Sequence, residues 1–456
     1  LGDVYKRQLL MGGCYISKAI GTVADITDNS ETKIDNVVVA VLSEDSADAL
    51  EDVAEDDFGV QYHLKGNEIL NALESIEQEL GQEISTIEYD NITDQLKGLY
   101  DREVRAVILN EAYIELFEEF SNTGIKIIHA RDVEAKIENK TEKQEVKTEE
   151  EPFVVYISGI DTYGSIKKTS RSDVNILAVV NPASHQVLLI TTPRDYYIKL
   201  PGITGMKKDK LTHAGIYGVD ISMATLGSLY DVEPDFYVRV NFTSFEQIID
   251  ALGGIDVDSE FAFTTSGNEC KVVKGRNHFN GMQALAFCRE RYNLPGGDFQ
   301  RGRNQQAMLT AMIQKVLSPS ILTGAGEIME SISGNVDTDM SAEQIQKLIK
   351  SQLEDPQPWD IISMDAKGTE DRQICYSIPE MAVYVTQPDK DSLEEIKAAI
   401  RQVWEGQTPK EQGENEQTGK EKAPVVPMWN FSGKNKNTNE RIPVSYTHLR
   451  AHETLS

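Results

Sequence analysis

Within residues 169–195, the apolar runs "VNILAVV" and "QVLLIT" stand either side of "NPASH". Both runs are rich in Val, Ile and Leu, which suit a buried pleated surface, and the segment between them is turn chemistry. A connection this short permits only antiparallel pairing, because parallel strands need a crossover of about a dozen residues or more. Folding the hairpin about Ala183–Ser184 lays Asp173 opposite Arg194. Arg171, Asp173, Arg194 and Asp195 then gather at one edge of a sheet. A single cross-strand ion pair on a solvated rim would contribute only about 0–1 kcal/mol, so the rest of the chain must decide what the cluster is for.

The pattern before the hairpin alternates strand and helix signals over residues 33–132. "NVVVAVL", "VQYHL", "ISTIEYD", "RAVILN" and "KIIHA" read as strands. "SADALEDVAE", "NEILNALESIEQELG", "DQLKGLYD" and "AYIELFEEF" read as helices, and in the second of these Ile69, Leu73, Ile76 and Leu80 recur at helical spacing. This predicts a small α/β accessory domain with a mainly parallel sheet. It carries no Gly-rich phosphate loop, and its acidic residues read as solvated helix faces. Residues 133–152 are charged and without aromatics, a solvated linker. A second domain runs from "FVVYISGID" to about Trp404, over 153–404, and the low-complexity 405–443 reads as disordered.

Composition narrows the partners. The 456 residues hold 74 Asp and Glu against 45 Lys and Arg, a formal net charge of −29. Such a surface repels nucleic acid, and no helix-turn-helix signal or basic stripe opposes that. Cys14, Cys270, Cys288 and Cys375 lack CxxC spacing, which argues against zinc or a redox motif. Cys270 and Cys375 lie in polar sequence and could pair outside the cell, whereas Cys288 follows "ALAF" and reads as a buried thiol. The ends resemble translated adapter sequence: "LGDVYKRQ" (1–8) and "VSYTHLRAHETLS" (444–456) are expected to be artefacts. Residues 9–30 include "LLMGGCYISKAIG", too short and interrupted to span a bilayer, which takes about 20 apolar residues. They read as the stub of a truncated membrane anchor.

The remaining candidates are charged. The strand "FVVYISGID" ends in Asp161; if it lies beside the hairpin, Asp161 and Asp173 converge as a candidate Mg²⁺ site. Arg289 and Arg291, two apart in a segment read as extended, would share a face. After the "NLPGG" turn, Asp298, Arg301 and Gln305 form one helical stripe that continues into Met308 and Met312, so it faces inward. Inward polar residues need partners, because burying them unpaired is costly.

Taken in order, "GID", "SRSDVNILAVVNP", "TTPRD", "KLTHA", "FYVRVNF", "IDALGGIDV", "FNGMQALAFCRER" and "DFQRGRNQQ" resemble the LytR-CpsA-Psr family over residues 153–320, extending to about 404. The resemblance implies a mixed α/β catalytic domain, a central sheet flanked by helices, with 33–132 similar to an accessory domain of some members. It also implies that Asp161 and Asp173 bind Mg²⁺. Arg171, Arg194, Arg289, Arg291 and Arg301 would surround the pyrophosphate of a polyprenyl-linked glycan, with Asp298 and Gln305 completing the site. Lys210 in "DKLTHA" matches the family lysine, whereas Thr212 and His213 depart from the usual form. The implied activity is phosphotransfer of a glycopolymer, such as teichoic acid or capsular polysaccharide, from its lipid carrier to peptidoglycan. That places a membrane-anchored enzyme on the extracellular face.

The residues suit such chemistry independently, since cleaving a pyrophosphate is mostly electrostatic work for Mg²⁺ and planar, permanently charged arginines. Asp195 is a candidate base or a group that orients Arg194. An apolar groove for the lipid tail is expected between the sheet and the helices around "MATLGSLY" and "FEQIIDAL", most of whose apolar residues make core. The alternative is a non-catalytic surface protein that binds polyprenyl phosphate or wall glycan; such a carrier could dispense with the carboxylates.

Overall fold

The computed structural model describes residues 32–62, 66–114, 124–136, 151–160, 162–316, 336–379 and 381–409, with backbone alone at 32–34, 66, 67, 134–136, 298, 299, 342 and 353. Asp161, Cys14 and the expectations placed on residues 1–30, 137–150 and 410–456 lie outside them.

The N-terminal sheet contains β1 (Thr32–Leu42), β2 (Asp57–Val60), β3 (Ser85–Glu88), β4 (Ala106–Asn110) and β5 (Ile125–Lys136), in the order β3-β2-β4-β1-β5. The expected mainly parallel sheet is corrected: β2 pairs parallel with β3 and β4, but β1 runs antiparallel to β4 and β5. Parallel pairing follows where a helix carries the chain back, through α1 (Gly66–Leu80) and α2 (Ile92–Tyr100). After β1 there is no such helix. "SADALEDVAE" supplies only a 3-10 turn at Leu50–Val53, so nothing requires β1 to run parallel. Both faces of β1 are covered. Val37, Val39 and Val41 pack with Ile69, Ala72 and Ile76 of α1, while Val38 and Ala40 pack with Leu96 and Leu99 of α2.

The second sheet has six strands. They are β6 (Phe153–Ile160), β7 (Ser172–Asn181), β8 (Gln186–Thr191), β11 (Phe236–Val240), β16 (Asp337–Thr338) and β17 (Asp360–Asp365), ordered β16-β11-β6-β7-β8-β17. Small antiparallel pairs flank it: β9 (Tyr197–Ile198) with β10 (Asp209–Lys210), β12 (Ile255–Ser259) with β15 (Gly275–Phe279), β13 (Phe263–Thr264) with β14 (Lys271–Val272), and β18 (Gly368–Gln373) with β19 (Val383–Pro388). Beside the single turn Ala214–Tyr217, the further α-helices among the described residues are α3 (Val219–Tyr230), α4 (Phe242–Ala251), α5 (Gly281–Arg289), α6 (Asp298–Val316), α7 (Ala342–Glu354) and α8 (Lys390–Trp404).

One face of this sheet, through Tyr156, Leu177, Leu188 and Ile190, packs on Leu226 of α3 and Ile396 of α8. The other, through Val155, Ile176 and Leu189, packs on Leu309 of α6 and Ile345 of α7. The hairpin β7–β8 pairs in the register Ile176↔Thr191 to Asn181↔Gln186, symmetric about Ala183–Ser184 as the sequence predicts. Its turn is closed by Asn181 Oδ1 accepting from Ser184 N, with His185 in the left-handed region at φ 51°. Strand β6 runs parallel to β11 and antiparallel to β7, and β8 runs parallel to β17. The carboxyl ends of β6, β8, β11 and β17 therefore meet the beginning of β7 at one edge.

Candidate functional site

That edge collects charge. Arg194, just past β8, donates from Nη1 to Asp173 Oδ2 at 2.7 Å. The other oxygen, Oδ1, accepts from Thr212 Oγ1 at 3.1 Å. Arg194 Nε stands 3.5 Å from Asp195 Oδ2, whose Oδ1 is 3.4 Å from Lys210 Nζ. The Lys210 side chain is only 4% exposed, so an ammonium sits at the floor of the site. Three separate segments thus contribute to one network, tied together where Thr212 N donates to Arg194 O at 2.8 Å. Below Ser172 a buried hydroxyl cluster stiffens the start of β7. Tyr156 OH donates to Asn175 Oδ1 at 2.7 Å, and Ser172 Oγ lies 2.9 Å from Tyr156 OH and 2.7 Å from Ser158 Oγ. Arg171, one residue outside this cluster, is half-buried.

Both departures in "DKLTHA" have places. Thr212 belongs to the site, and His213 lies beneath it. His213 Nδ1 is 2.7 Å from Asp209 Oδ1 and 2.8 Å from Ser377 Oγ. A nucleophilic Ser–His–Asp arrangement needs one ring nitrogen for each partner, whereas here both contacts fall on Nδ1. Asp209, His213 and Ser377 are buried as well, so the trio fixes the segment carrying Lys210.

A second wall comes from the end of α5. Arg289 and Arg291 were expected to share the face of an extended segment; instead Arg289 closes the helix and Glu290 is the first extended residue (φ −65°, ψ 132°). The guanidinium of Arg289 lies 4.3 Å from the Phe242 ring centroid and donates to Tyr163 OH at 3.4 Å. Tyr163 follows β6 and Phe242 follows β11, which brings Arg289 to the same sheet edge. Arg291 stacks on Tyr292 at 4.5 Å.

Sequence reasoning passed over Glu290, which organises this turn. Its Oε1 accepts from the backbone N–H groups of Arg291, Tyr292 and Asn293 at 3.0, 2.8 and 3.0 Å, and Ser266 caps it through both backbone and hydroxyl. Burial pushes its carboxyl upward, but the hydrogen bonds from Asn293, Ser266 and Tyr292 together hold it below the ordinary range. A carboxylate at a helix C-terminus opposes the helix dipole, and that misfit was the available signal.

The stripe on α6 turns inward only in part: Arg301, Gln305 and Met312 are half-buried, and the buried polar residues of the helix are Gln300, Asn304 and Gln306. Met308 is buried, and Gln305 Nε2 donates to Cys288 O at 3.3 Å, satisfying a carbonyl at the end of α5. Gln305 is thereby turned to the helix carrying Arg289 rather than to the Asp173 network. Arg301 is half-buried, and the side chain of Asp298 lies outside the described residues. Among the described residues no group of three or more His, Cys, Asp or Glu gathers as for a metal ion, with Asp161 outside them.

The thiol expectation for Cys270 and Cys375 is corrected. Both are buried, Cys270 against Phe263 and Val272 and Cys375 against Ile378 and Val385, and their different clusters keep them from pairing with each other. Each was placed by its polar neighbours in sequence, yet strand pairing turns it inward. Cys288 is buried as expected, and burial pushes its thiol up to about 12. The segments expected beside a lipid groove mostly make core: Met223, Leu226 and Tyr230 of α3 pack against α8, and Ile249 of α4 joins the cluster around Phe287.

The model of the LytR_cpsA_psr family matches residues 117–402. The chain belongs to the LytR_cpsA_psr family. A Bacillus cereus relative named polyisoprenyl-teichoic acid–peptidoglycan teichoic acid transferase TagU is 35% identical over 215 residues, 47% of this chain and 69% of the relative. An Enterococcus faecalis protein of the same name is 33% identical over 215 residues, 46% of this chain and 69% of its own length. Among solved structures, Bacillus subtilis TagV is 29% identical, with a TM-score of 0.48, covering 57% of this chain and 99% of that one. The LytR_cpsA_psr assignment bears out the resemblance and the mixed α/β class.

Proposed function

We propose that the protein is a Mg²⁺-dependent phosphotransferase that moves a polyprenyl-pyrophosphate-linked glycopolymer, of teichoic acid or wall polysaccharide type, onto peptidoglycan. The observation that carries this reading is the convergence of Arg194, Lys210 and Arg289 with Asp173 at one sheet edge. Its cations suit two phosphates, and its planar guanidinium groups suit the charge that spreads over oxygen as a phosphoryl group transfers. A peptidoglycan hydroxyl would attack the phosphorus bearing the glycan. The bond to the bridging oxygen breaks, polyprenyl phosphate leaves, and the hydroxyl proton passes to a base or solvent. Asp195, held between Arg194 and Lys210, suits orientation of these cations better than proton removal, because each of its oxygens already faces one of them.

Each oxygen of Asp173 keeps a second lone pair beyond its contacts with Arg194 and Thr212, so the carboxylate fits a hard cation, with Asp161, outside the described residues, proposed as the other ligand. When bound, Mg²⁺ would neutralise charge on the pyrophosphate oxygens. Among the described residues no helix is long and apolar enough to cross a membrane. The membrane tether and extracellular placement proposed here draw on residues 9–30, outside those residues.

The test uses purified protein, a polyprenyl-pyrophosphate glycan and an acceptor glycan. Polyprenyl monophosphate should be released only with Mg²⁺, and Asp173→Ala should abolish release without lowering the melting temperature appreciably. Tight donor binding without release would replace the transferase with a carrier.

A further inference from the structure

The hairpin that carries Lys210 in its second strand, β10, has at its far end a loop, residues 199–208, unlike the rest of this acidic surface. Met206 there is 85% exposed, more than any other large apolar side chain among the described residues. Lys199, Lys207 and Lys208 surround it, and none forms an ion pair with a carboxylate among the described residues. Lys207 and Lys208 instead lie over the rings of Tyr376 and Tyr197, at 5.9 and 5.2 Å. Ile374, 56% exposed, adds a second apolar side chain beside them, since Tyr197 OH donates to its carbonyl at 2.8 Å.

The loop is built rather than loose. Thr204 N donates to Leu200 O, Leu200 N donates to Thr204 Oγ1, and Tyr376 N donates to Lys208 O. Gly202 (φ 77°) and Gly205 (φ 58°) supply the left-handed turns that raise Met206 into water. A folded loop that holds an apolar tip outward, with Lys199 Nζ donating to Met206 Sδ at 3.8 Å, loses little freedom on binding.

We propose that this loop docks on an anionic lipid surface, with Met206 entering the headgroup boundary and Lys199, Lys207 and Lys208 meeting lipid phosphates. The chain's net charge of −29 would otherwise be repelled there, so a lysine cluster that meets aromatic rings rather than carboxylates among the described residues is the complementary patch. A soluble polyanion would answer the lysines but gives no reason for an exposed methionine. A second copy would set like charges face to face across a two-fold axis. The inference goes beyond the transfer reaction and does not depend on it.

The test is co-sedimentation of the full chain with vesicles of equal phosphatidylglycerol and phosphatidylcholine, against phosphatidylcholine alone. Lys207→Gln with Lys208→Gln should lower affinity for the anionic vesicles by about 25-fold, about fivefold per lysine, with the difference shrinking in high salt. Met206→Ser should lower it by about three- to tenfold, with melting temperature unchanged in both variants. Unchanged sedimentation of the double lysine variant would overturn the proposal. So would soluble polyphosphate stripping the protein from vesicles while Met206→Ser binds like the parent, because the loop would then be a polyanion track.

Discussion

Arg105 and Arg194 each stand at the end of a strand, one in each sheet, and each meets aspartate, but the two guanidinium groups serve different ends. Arg105 donates from Nε and Nη2 to the two oxygens of Asp45, at 3.1 and 3.0 Å. Its Nη1 donates to Asp56 Oδ2 and Asp52 O at 2.8 and 3.0 Å. These acceptors lie on the loop after β1, and the hydrogen bond to Asp45, then that to Asp56, push the arginine further above its already high range. Two carboxylates on one cation leave nothing to attract an anion. At Arg194 the balance reverses: Asp173 and Asp195 share their surroundings with Lys210, and Arg171 and Arg289 approach the same edge. The same pair of residue types closes a loop in one sheet and joins a larger charged network in the other.

Exchanging the losses would break or sharpen this contrast most directly. Arg194→Ala should lower transfer turnover by about 10²–10³-fold while moving the melting temperature little, since its charge is used where negative charge develops. Arg105→Ala should do the converse. It loses a bidentate but partly exposed pair, about 1 kcal/mol of stability, and leaves turnover per folded molecule unchanged. Thermal melts run beside initial rates decide it. If Arg105→Ala cuts turnover as deeply as Arg194→Ala, the N-terminal sheet is part of the active machinery and the contrast fails.

A smaller effect probes how the N-terminal sheet closes its own polar groups. Gln95 of α2 is fully buried, and its Nε2 donates to Gly59 O and Ile108 O, both at 2.8 Å. Strands β2 and β4 pair only through Phe58↔Ala106 and Gly59↔Val107, so the amide stands in for missing rungs of the ladder. Gln95→Leu should destabilise by about 1–3 kcal/mol by stranding two carbonyls, read as a lower urea midpoint with an unchanged slope. Turnover at neutral pH in the absence of urea should be that of the parent. A midpoint within error of the parent would mean that other donors reach these carbonyls.

The hairpin was legible because strand period and turn chemistry act over a few residues, so folding it on paper already set Asp173 against Arg194. On α6 only Met308 of the expected stripe is buried, because the helix turns Gln300 and Asn304 inward in place of Arg301 and Gln305. Three further features were not legible. The direction of β1 depended on a helix that the Ala- and Asp-rich "SADALEDVAE" does not sustain. Thr212 reaches Asp173 only because the β9–β10 hairpin, extended by Thr212 N donating to Arg194 O, folds back against the start of β7. Gln305 matched the family position, yet its amide meets the Cys288 carbonyl, a choice made by helix packing rather than spacing. Local rules therefore placed the elements, and contacts distant in sequence decided which polar atoms meet.

Glu290 tests that last point with the smallest and most diagnostic effect. It lies between Arg289 and Arg291, and its carboxylate gathers three consecutive backbone N–H groups and Ser266. A positioning residue of this kind should matter through its charge, since hydrogen bonds to an ionised acceptor are the stronger ones. Its folded pKa lies below the ordinary value, so its contribution to stability is present above the unfolded pKa of about 4.3 and is lost as pH falls through the folded value. Glu290→Gln keeps one acceptor oxygen and the shape of the side chain, so at pH 7 it should lose about 1 kcal/mol and slow turnover by several-fold. Once pH has fallen through the folded value the stabilities of parent and variant should converge, because the parent carboxyl is then protonated in the folded state too. Urea midpoints across that range check the sign. A gap that stays constant from neutral to acid would mean that the turn is held by shape alone, and Arg289 and Arg291 would owe their placement to the aromatic rings of Phe242 and Tyr292.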